Sequence, residues 1–456
     1  MVGCDWTPWC AVGLLSTCTA YPLLPLLIQN EFPLSPVFLP PDVAHKLGPY
    51  SPYYAVSPYE ILEQECNLTQ ANLLYRHGSR YPTRKSAIDL AETFHKLQAN
   101  KLGGALKFIT NYSVNLNADD LVLLGAMELE EAGRRDYARY SQLLPNAPAN
   151  EPFLRATSAQ RVIDSAGNWS AAFTTASGGT FHVPLPLILK RSQDFNNTLG
   201  TYNCPQWNRS LSDEAKGDFL ASFAPDILHR LQEMAPTAEL GGEDVINLFQ
   251  MCAFDSVASM KYSPFCRIFE PEEFDQFEYY EDVSKYYYTG YGHALGPVQG
   301  VAYVAELVAR LTSSPVHGIT NINRTLDSSS DTFPLDRNLY VDFSHDNTMV
   351  AIVSAMGIHK PQKHLSTHKR QQNSAWVISR IAPFAARLVV EKYSCTTTTA
   401  SGSDEWVRVL SDDAVMNLPD CKETMPGGLC SLQSFVREQL GYVYSQRAIA
   451  DWDNCF

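Results

Sequence analysis

A short apolar run, Gln70 to Tyr75 (QANLLY), leads without a break into RHGSRYPTRK over residues 76–85. A run of this length stopped by a turn signal reads as a buried strand. The ten residues after it hold Arg76, His77, Arg80, Arg84 and Lys85, and no Asp or Glu lies between Glu65 and Asp89. The chain as a whole is acidic, with 35 Lys plus Arg against 49 Asp plus Glu and a net charge of −14. Such a chain has no general attraction for nucleic acid or for an anionic membrane surface. A basic cluster at the end of a buried strand therefore reads as a local pocket for a small anion. Arginine presents a planar fork that matches phosphate oxygens, and a histidine among arginines can act as nucleophile or as acid and base. The plain alternative, a solvated basic turn, seldom follows a buried strand.

The rest of the chain supplies a core and a second reactive segment. Hydrophobic residues make up 45% of the 456 and charged residues 18%, which excludes a disordered chain and suits one large domain or two. Residues 119–143 read as a helix, in which Glu128, Glu130 and Glu131 precede Arg134, Arg135 and Arg139, the order that complements the helix dipole. A second helix starts after Gly296 and Pro297, with Val301, Val304, Ala305, Val308 and Leu311 on one face. Residues 338–343 (NLYVDF) then read as a strand that delivers Ser344, His345 and Asp346 at its end. Strand and helix alternate at both ends, so the expected fold is an α/β sheet domain flanked by helices, over 59–170 and 295–456. It is interrupted by a smaller, mostly α-helical subdomain at 171–294 and preceded by an extended, Pro-rich arm at 21–58. Both reactive segments fall at strand C-termini, where open α/β sheets place their sites.

Cysteine positions bear on the compartment. Of eleven cysteines, Cys4, Cys10 and Cys18 precede residue 20 and eight lie in the body. Residues 9–28 are apolar, with Cys-Thr-Ala at 18–20 as a small-residue cleavage site, so residues 1–20 read as a signal peptide. Cleavage after Ala20 leaves an even set of cysteines, as a disulfide-bonded secreted protein needs. Pro22 and Pro25 interrupt the run, which fits a membrane anchor less well. Six N-x-S/T sequons, at Asn67, Asn111, Asn168, Asn196, Asn208 and Asn323, point the same way. The expectation is a secreted glycoprotein, with the vacuole or cell wall as alternative destinations.

RHGxRxP after a strand, followed far downstream by a His-Asp pair, resembles the active-site pattern of the histidine acid phosphatases, and within them secreted fungal phytases. The resemblance runs from about Leu47 to Phe456 through GPYSPYY (48–54), RATSAQRVIDSA (155–166), SPFC (263–266), LGPVQGVAYVAELVARLT (295–312), RTLDSSSDTFPL (324–335) and DFSHDNTM (342–349). It implies a phosphoglycerate-mutase-like sheet domain and hydrolysis of phytate (inositol hexakisphosphate) through a phosphohistidine, as a monomer without metal or cofactor. His77 would be the nucleophile. Arg76, Arg80, Arg155 and His345 would hold the phosphoryl group, and Asp346 would protonate the leaving alcohol. Arg84, Lys85 and Lys285 would add charge for a polyphosphorylated substrate. Ser284 stands where many of these enzymes carry a second lysine beside Lys285, and His293 where the family often has Asn. The resemblance also implies the disulfides Cys66–Cys395, Cys204–Cys455, Cys252–Cys266 and Cys421–Cys430, among many pairings that the sequence itself leaves open.

Physical chemistry is consistent with those roles. Guanidinium groups can stabilise the charge on a transferring phosphoryl group, and an imidazole nucleophile splits the hydrolysis into two easier steps. An aspartic acid that must begin protonated favours acidic working conditions. The other histidines (His45, His95, His182, His229, His293, His317, His359, His364 and His368) show no metal-ligand spacing. No phosphate-cradling loop or nucleophile elbow is present. Alternative readings are a broad-specificity acid phosphatase, an intracellular phosphomutase sharing the RHG core, and a non-catalytic binder of phosphorylated ligands.

Overall fold

The computed structural model describes residues 38–62, 66–144, 151–318, 320–396 and 404–456. The expected leader, and the expected arm as far as residue 37, lie outside the described residues. In chain order, the first half contains β1 (Cys66–Arg76), α1 (Arg84–Gln98), α2 (Leu123–Tyr140), β2 (Phe153–Thr157), α3 (Gln160–Ala176) and β3 (Leu187–Leu189). Helices α4 (Ser210–Met234), α5 (Gly242–Ser259), α6 (Pro271–Tyr288) and α7 (Val301–Thr312) come next, then β4 (Leu339–Ser344) and α8 (Asp346–Ala355). The chain closes with β5 (Arg387–Cys395), β6 (Glu405–Ser411), β7 (Ala414–Val415), β8 (Thr424–Met425), β9 (Leu429–Ser431), α9 (Leu432–Val443) and α10 (Gln446–Asp453).

The strands form one sheet in the order β3-β2-β4-β1-β5-β6-β9-β8, with β7 paired to β6. Its first four strands are parallel and the remainder antiparallel. Strand β1 is longer than the apolar run suggests, because its first four residues alternate between half-buried and exposed before seven consecutive buried ones. Alternation marks a half-solvated strand, whereas the continuous run marks a strand covered on both faces. Register sets which residues meet at the sheet's end. Arg76 of β1 pairs with Ser344 of β4, so the residues that leave the two strands, His77 and His345, emerge side by side.

Helices cover both faces of the parallel half. Ala71, Leu73, Tyr75, Leu339, Val341 and Phe343 pack with Leu129 and Ala132 of α2 and with Val162, Trp169 and Phe173 of α3. Leu74 points the other way, into a core shared with Val301, Val304 and Leu307 of α7 and Val350 and Val353 of α8. Neighbouring strand residues serve opposite layers, as the two-residue period requires. Helices α2 and α3 approach closely at Gly133, where a Cβ would sit 2.3 Å from the carbonyl oxygen of Trp169. Helix α2 starts at Leu123 because Leu121 bridges antiparallel to Arg80 in the RHGSR turn, with Val122 N donating to Ser79 O (3.0 Å) and Tyr81 N to Asp120 O (2.9 Å).

Within 171–294, α4, α5 and α6 dominate, but β3 hydrogen-bonds to β2 and so belongs to the sheet. Helix α6 opens on a capping box of Glu270 and Glu273 with Pro271 in its first turn, and ends by presenting Lys285 near the end of β4. Disulfides join Cys66 to Cys395 across the β1/β5 pair, Cys204 to Cys455, Cys252 to Cys266 and Cys421 to Cys430. Among the described residues no helix is long and apolar enough to cross a membrane.

Candidate active site

Beyond the C-terminal ends of β1, β4 and β2 lies a cluster of buried basic side chains built on His77. The side chain is buried (1% exposed) and its Nδ1 lies 2.9 Å from the carbonyl oxygen of Gly78. A carbonyl only accepts, so Nδ1 carries the hydrogen and Nε2 keeps its lone pair. Burial, then the charges of Arg76 and Arg80, hold the imidazole well below its ordinary pKa of 6.5. Both effects favour the neutral, nucleophilic imidazole.

The turn that presents His77 is fixed by close contact. Gly78 lies against the first turn of α2, where a Cβ would come 2.3 Å from Gly125 O. Its N–H donates to Ser165 Oγ (3.1 Å), and Ser79 N donates to Glu128 Oε2 (2.7 Å). Glu128 also accepts from Ser79 Oγ and from Tyr53 N, both at 3.0 Å, and so anchors the turn. Among sequence features it looks only like a helix-dipole residue.

Arg76 is fully buried, its guanidinium 4.6 Å from the Phe384 ring. Nη1 donates to the carbonyls of Pro49 and Ala382. The segments carrying those carbonyls are tied down by α6, since Glu278 accepts from Gly48 N (2.7 Å) and Ser379 N (3.2 Å), and Asp282 from Ile378 N (2.6 Å). Nε and Nη2 of Arg76 and Nε of Arg80 are buried with no hydrogen-bond partner among the described residues. Buried donors without partners are costly unless a ligand supplies acceptors.

His345 follows β4 as the N-cap of α8, its Nε2 3.3 Å from Thr157 Oγ1 at the end of β2. Burial, then the charges of Arg161 and Arg191, depress its pKa well below 6.5. Asp346 begins α8. Its Oδ2 lies 2.8 Å from Lys285 Nζ and 3.5 Å from Arg76 Nη2, and its Oδ1 accepts from Asn347 N (2.9 Å). Against the upward push of burial, Lys285 and then Arg76 hold its carboxyl well below the usual range. The N-terminus of α8 adds its partial positive charge to this end of the sheet.

Arg155 is a correction. It lies inside β2, not beyond it, and its guanidinium bonds Asp342 twice (Nε 2.8 Å, Nη2 3.0 Å) and Glu306 once (2.7 Å). Arg310 shares Asp342 at 2.8 Å, completing a buried ion network beneath the pocket. Two carboxylates neutralise Arg155, which belongs to the core. The arginine that reaches the pocket is Arg161, in the first turn of α3. Burial and the neighbouring Arg80 lower its pKa to about 10, its Nε is buried without a partner among the described residues, and its charge acts on both His77 and His345. The same RATSAQR motif contains both arginines. The signal separating them is that sites lie past strand ends, so the arginine after the turn outranks the one in the apolar run.

The residues expected outside the pocket divide. Lys285 is in the site itself, donating to Asp346 and to Asn347 Oδ1 (2.7 Å). Lys85 is on the surface at the start of α1, paired with Asp89 at 2.8 Å with its side chain 77% exposed. Arg84 is exposed beside it. Asp119 links this rim to the pocket, accepting from Arg84 N (3.3 Å) and lying 3.6 Å from Arg161 Nη1. His293 Nδ1 accepts from Leu295 N (3.0 Å), a local turn contact.

Comparison with known proteins places this geometry among relatives. The family model described as "Histidine phosphatase superfamily (branch 2)" matches residues 67–412. The chain is 37% identical over 435 residues to Phytase A of Aspergillus oryzae, and 37% identical over 436 residues to Phytase A of Emericella nidulans, in each case covering 91% of both chains. Its fold is similar to the crystal structure of the phytase from D. castellii, with a TM-score of 0.73 at 22% identity, covering 90% of this chain and 88% of that one. It is also similar to the Bifidobacterium longum multiple inositol polyphosphate phosphatase in complex with inositol hexasulfate, with a TM-score of 0.61 at 15% identity, covering 85% and 96%.

Proposed function

Because the chain belongs to the histidine phosphatase superfamily (branch 2), we propose that it is a phosphoric monoester hydrolase that acts on phytate through a phosphohistidine at His77. The observation that carries the reading is that Arg76, Arg80 and Arg161, whose charges all act on His77, keep buried guanidinium N–H groups without hydrogen-bond partners among the described residues, while Nδ1 of the imidazole is committed to Gly78. Donors from three cations, left without acceptors, fit the equatorial oxygens of a phosphoryl group. The phytate assignment is supported by the Phytase A relatives and by the inositol hexasulfate bound to the B. longum protein.

In the first step His77 Nε2 attacks phosphorus, the P–O ester bond breaks, and Asp346 gives its proton to the leaving oxygen. In the second, water attacks phosphorus, the P–N bond breaks, and Asp346 takes the proton from water. Lys285 and Arg76 hold the Asp346 carboxyl well below its usual range and so favour its ionised form. A bound phosphate places a second negative charge among Arg76, Lys285 and Arg161, which weakens their hold on the carboxylate and lets it take up a proton in acid. His77 and Asp346 thus both favour acidic working conditions, the first by staying neutral there and the second by charging with a proton there.

One observation favours a broad-specificity acid phosphatase instead: Lys285 is bonded to Asp346 inside the site, and Lys85 stands on the surface beside Asp89, so neither is held ready for a remote phosphate. Export is supported by four disulfides, which need an oxidising compartment, and by the exposure of Asn67, Asn111, Asn196 and Asn208. Asn168 and Asn323 are half-buried. Alkaline quench during turnover of a radiolabelled phosphomonoester tests the mechanism. Label on the peptide containing His77 is expected, and label elsewhere or nowhere overturns it.

A further inference from the structure

Four neighbouring parallel strands, in the order β3-β2-β4-β1, each deliver a basic side chain just past their C-terminal ends. Beyond β1 comes His77, beyond β4 His345, beyond β2 Arg161 and beyond β3 Arg191. The phosphoryl pocket uses the first three. Arg191 is as deliberately placed as they are. Its backbone N–H donates to Ser158 Oγ (3.2 Å), in the turn that joins β2 to α3, and Ser158 N in turn donates to Leu189 O (2.9 Å). Its Nε donates to Tyr202 Oη (2.6 Å), and the guanidinium lies 4.9 Å from the Tyr202 ring centroid.

The nature of that partner matters. Arg155, one strand away, is neutralised by carboxylates. Arg191 is held by a phenol and an aromatic face, which orient a cation without cancelling its charge. The side chain is exposed, so a ligand can reach it, and its field is felt at both Arg161 and His345. It follows β3, the edge strand of the sheet, whereas Lys285 comes from α6 and pairs with Asp346 just past β4.

We propose that Arg191 is a specificity-determining residue, binding a second phosphate of a multiply phosphorylated polyol while the first lies against His77. The inference rests on the reading of His77 as the phosphoryl-transfer centre. It assigns a remote charge to the β3 end, independent of Lys285, which is paired with Asp346.

The test compares phytate with an aryl phosphate in the full-length enzyme and in Arg191→Gln and Arg191→Lys. With Arg191→Gln, KM for phytate should rise about tenfold while kcat on both substrates and KM for the aryl phosphate stay within twofold. Arg191→Lys should recover most of the phytate KM, which loss of the Tyr202 contact alone would not allow. Equal changes on both substrates, or no change on phytate, would overturn the proposal. Failure of the His77 reading is distinguishable: there the unmutated enzyme would be inactive on both substrates, or Arg191→Gln would act through an enzyme that keeps its activity in His77→Ala.

Discussion

The ammonium of Lys285 lies 2.8 Å from Oδ2 of Asp346, the carboxyl assigned as proton donor. Lys285 comes from the last turn of α6 and Asp346 from the first of α8, so an ion pair between distant elements sets the charge state of the group that must later give up a proton. Lys285 is the charge that does most to hold the carboxyl below its usual range. Removing it in Lys285→Met should raise the Asp346 pKa and move the alkaline limb of the kcat profile upward by about one pH unit, the lower end of what a direct opposite charge contributes. An unmoved limb would separate Asp346 from the rate-determining proton transfer.

Arg161 and Arg155 should respond oppositely to replacement. Arg161→Ala removes a donor that the proposed mechanism assigns to the phosphoryl group, and loss of one such donor costs about 10²–10³ in kcat. Its thermal unfolding should barely change. Arg155→Met strips the counter-charge from buried Asp342 and Glu306, which should cost about 3–5 kcal/mol of stability while leaving KM unchanged in the folded fraction. Denaturant melts beside steady-state kinetics on the two variants decide the assignment.

Glu281 gives the fold a pH dependence of its own. It is 4% exposed, and burial raises its pKa from 4.5 to about 7, with Lys285 and Lys216 opposing the shift. A raised folded-state value means stability that is fully present below the unfolded value and lost as pH rises through 7. The interval corresponds to about 3 kcal/mol. Glu281→Gln should therefore melt close to the unmutated protein at pH 4 and increasingly above it towards pH 8. A difference that stays constant across that range would show that Glu281 does not titrate there.

Gly78 tolerates no side chain, because the atoms a Cβ would meet belong to the Gly125 backbone and cannot rotate away. Gly78→Ala should displace the His77 turn, lowering kcat more than tenfold and raising the proteolytic susceptibility of the turn. Activity within twofold of the unmutated protein would mean that the turn relaxes without moving the imidazole.

How much of the site was legible in the sequence varied with the range of the interaction involved. His77, His345 and Asp346 could be read because each closely follows an apolar strand, so one local pattern fixes both their element and their place at the sheet's end. Arg155 and Arg161 could not be separated by motif alone, since the choice depends on where β2 stops and on Asp342 and Glu306 waiting beneath it from β4 and α7. The Lys285–Asp346 pair and the Glu128 anchor were hidden for the same reason, being contacts between elements far apart in the chain. Helix α2 was expected from residue 119 and begins at Leu123, because Asp119 turns the chain at positive φ and residues 120–122 are bonded through their backbone to the RHGSR turn.

The central claim is that phosphate leaves phytate through His77. The most direct measurement is phosphate release from phytate between pH 3 and pH 7, with a chelator present, by the unmutated enzyme and by His77→Ala. Chelator-resistant release in acid that disappears in the variant is the expected result. Release by His77→Ala at the unmutated rate would contradict the claim.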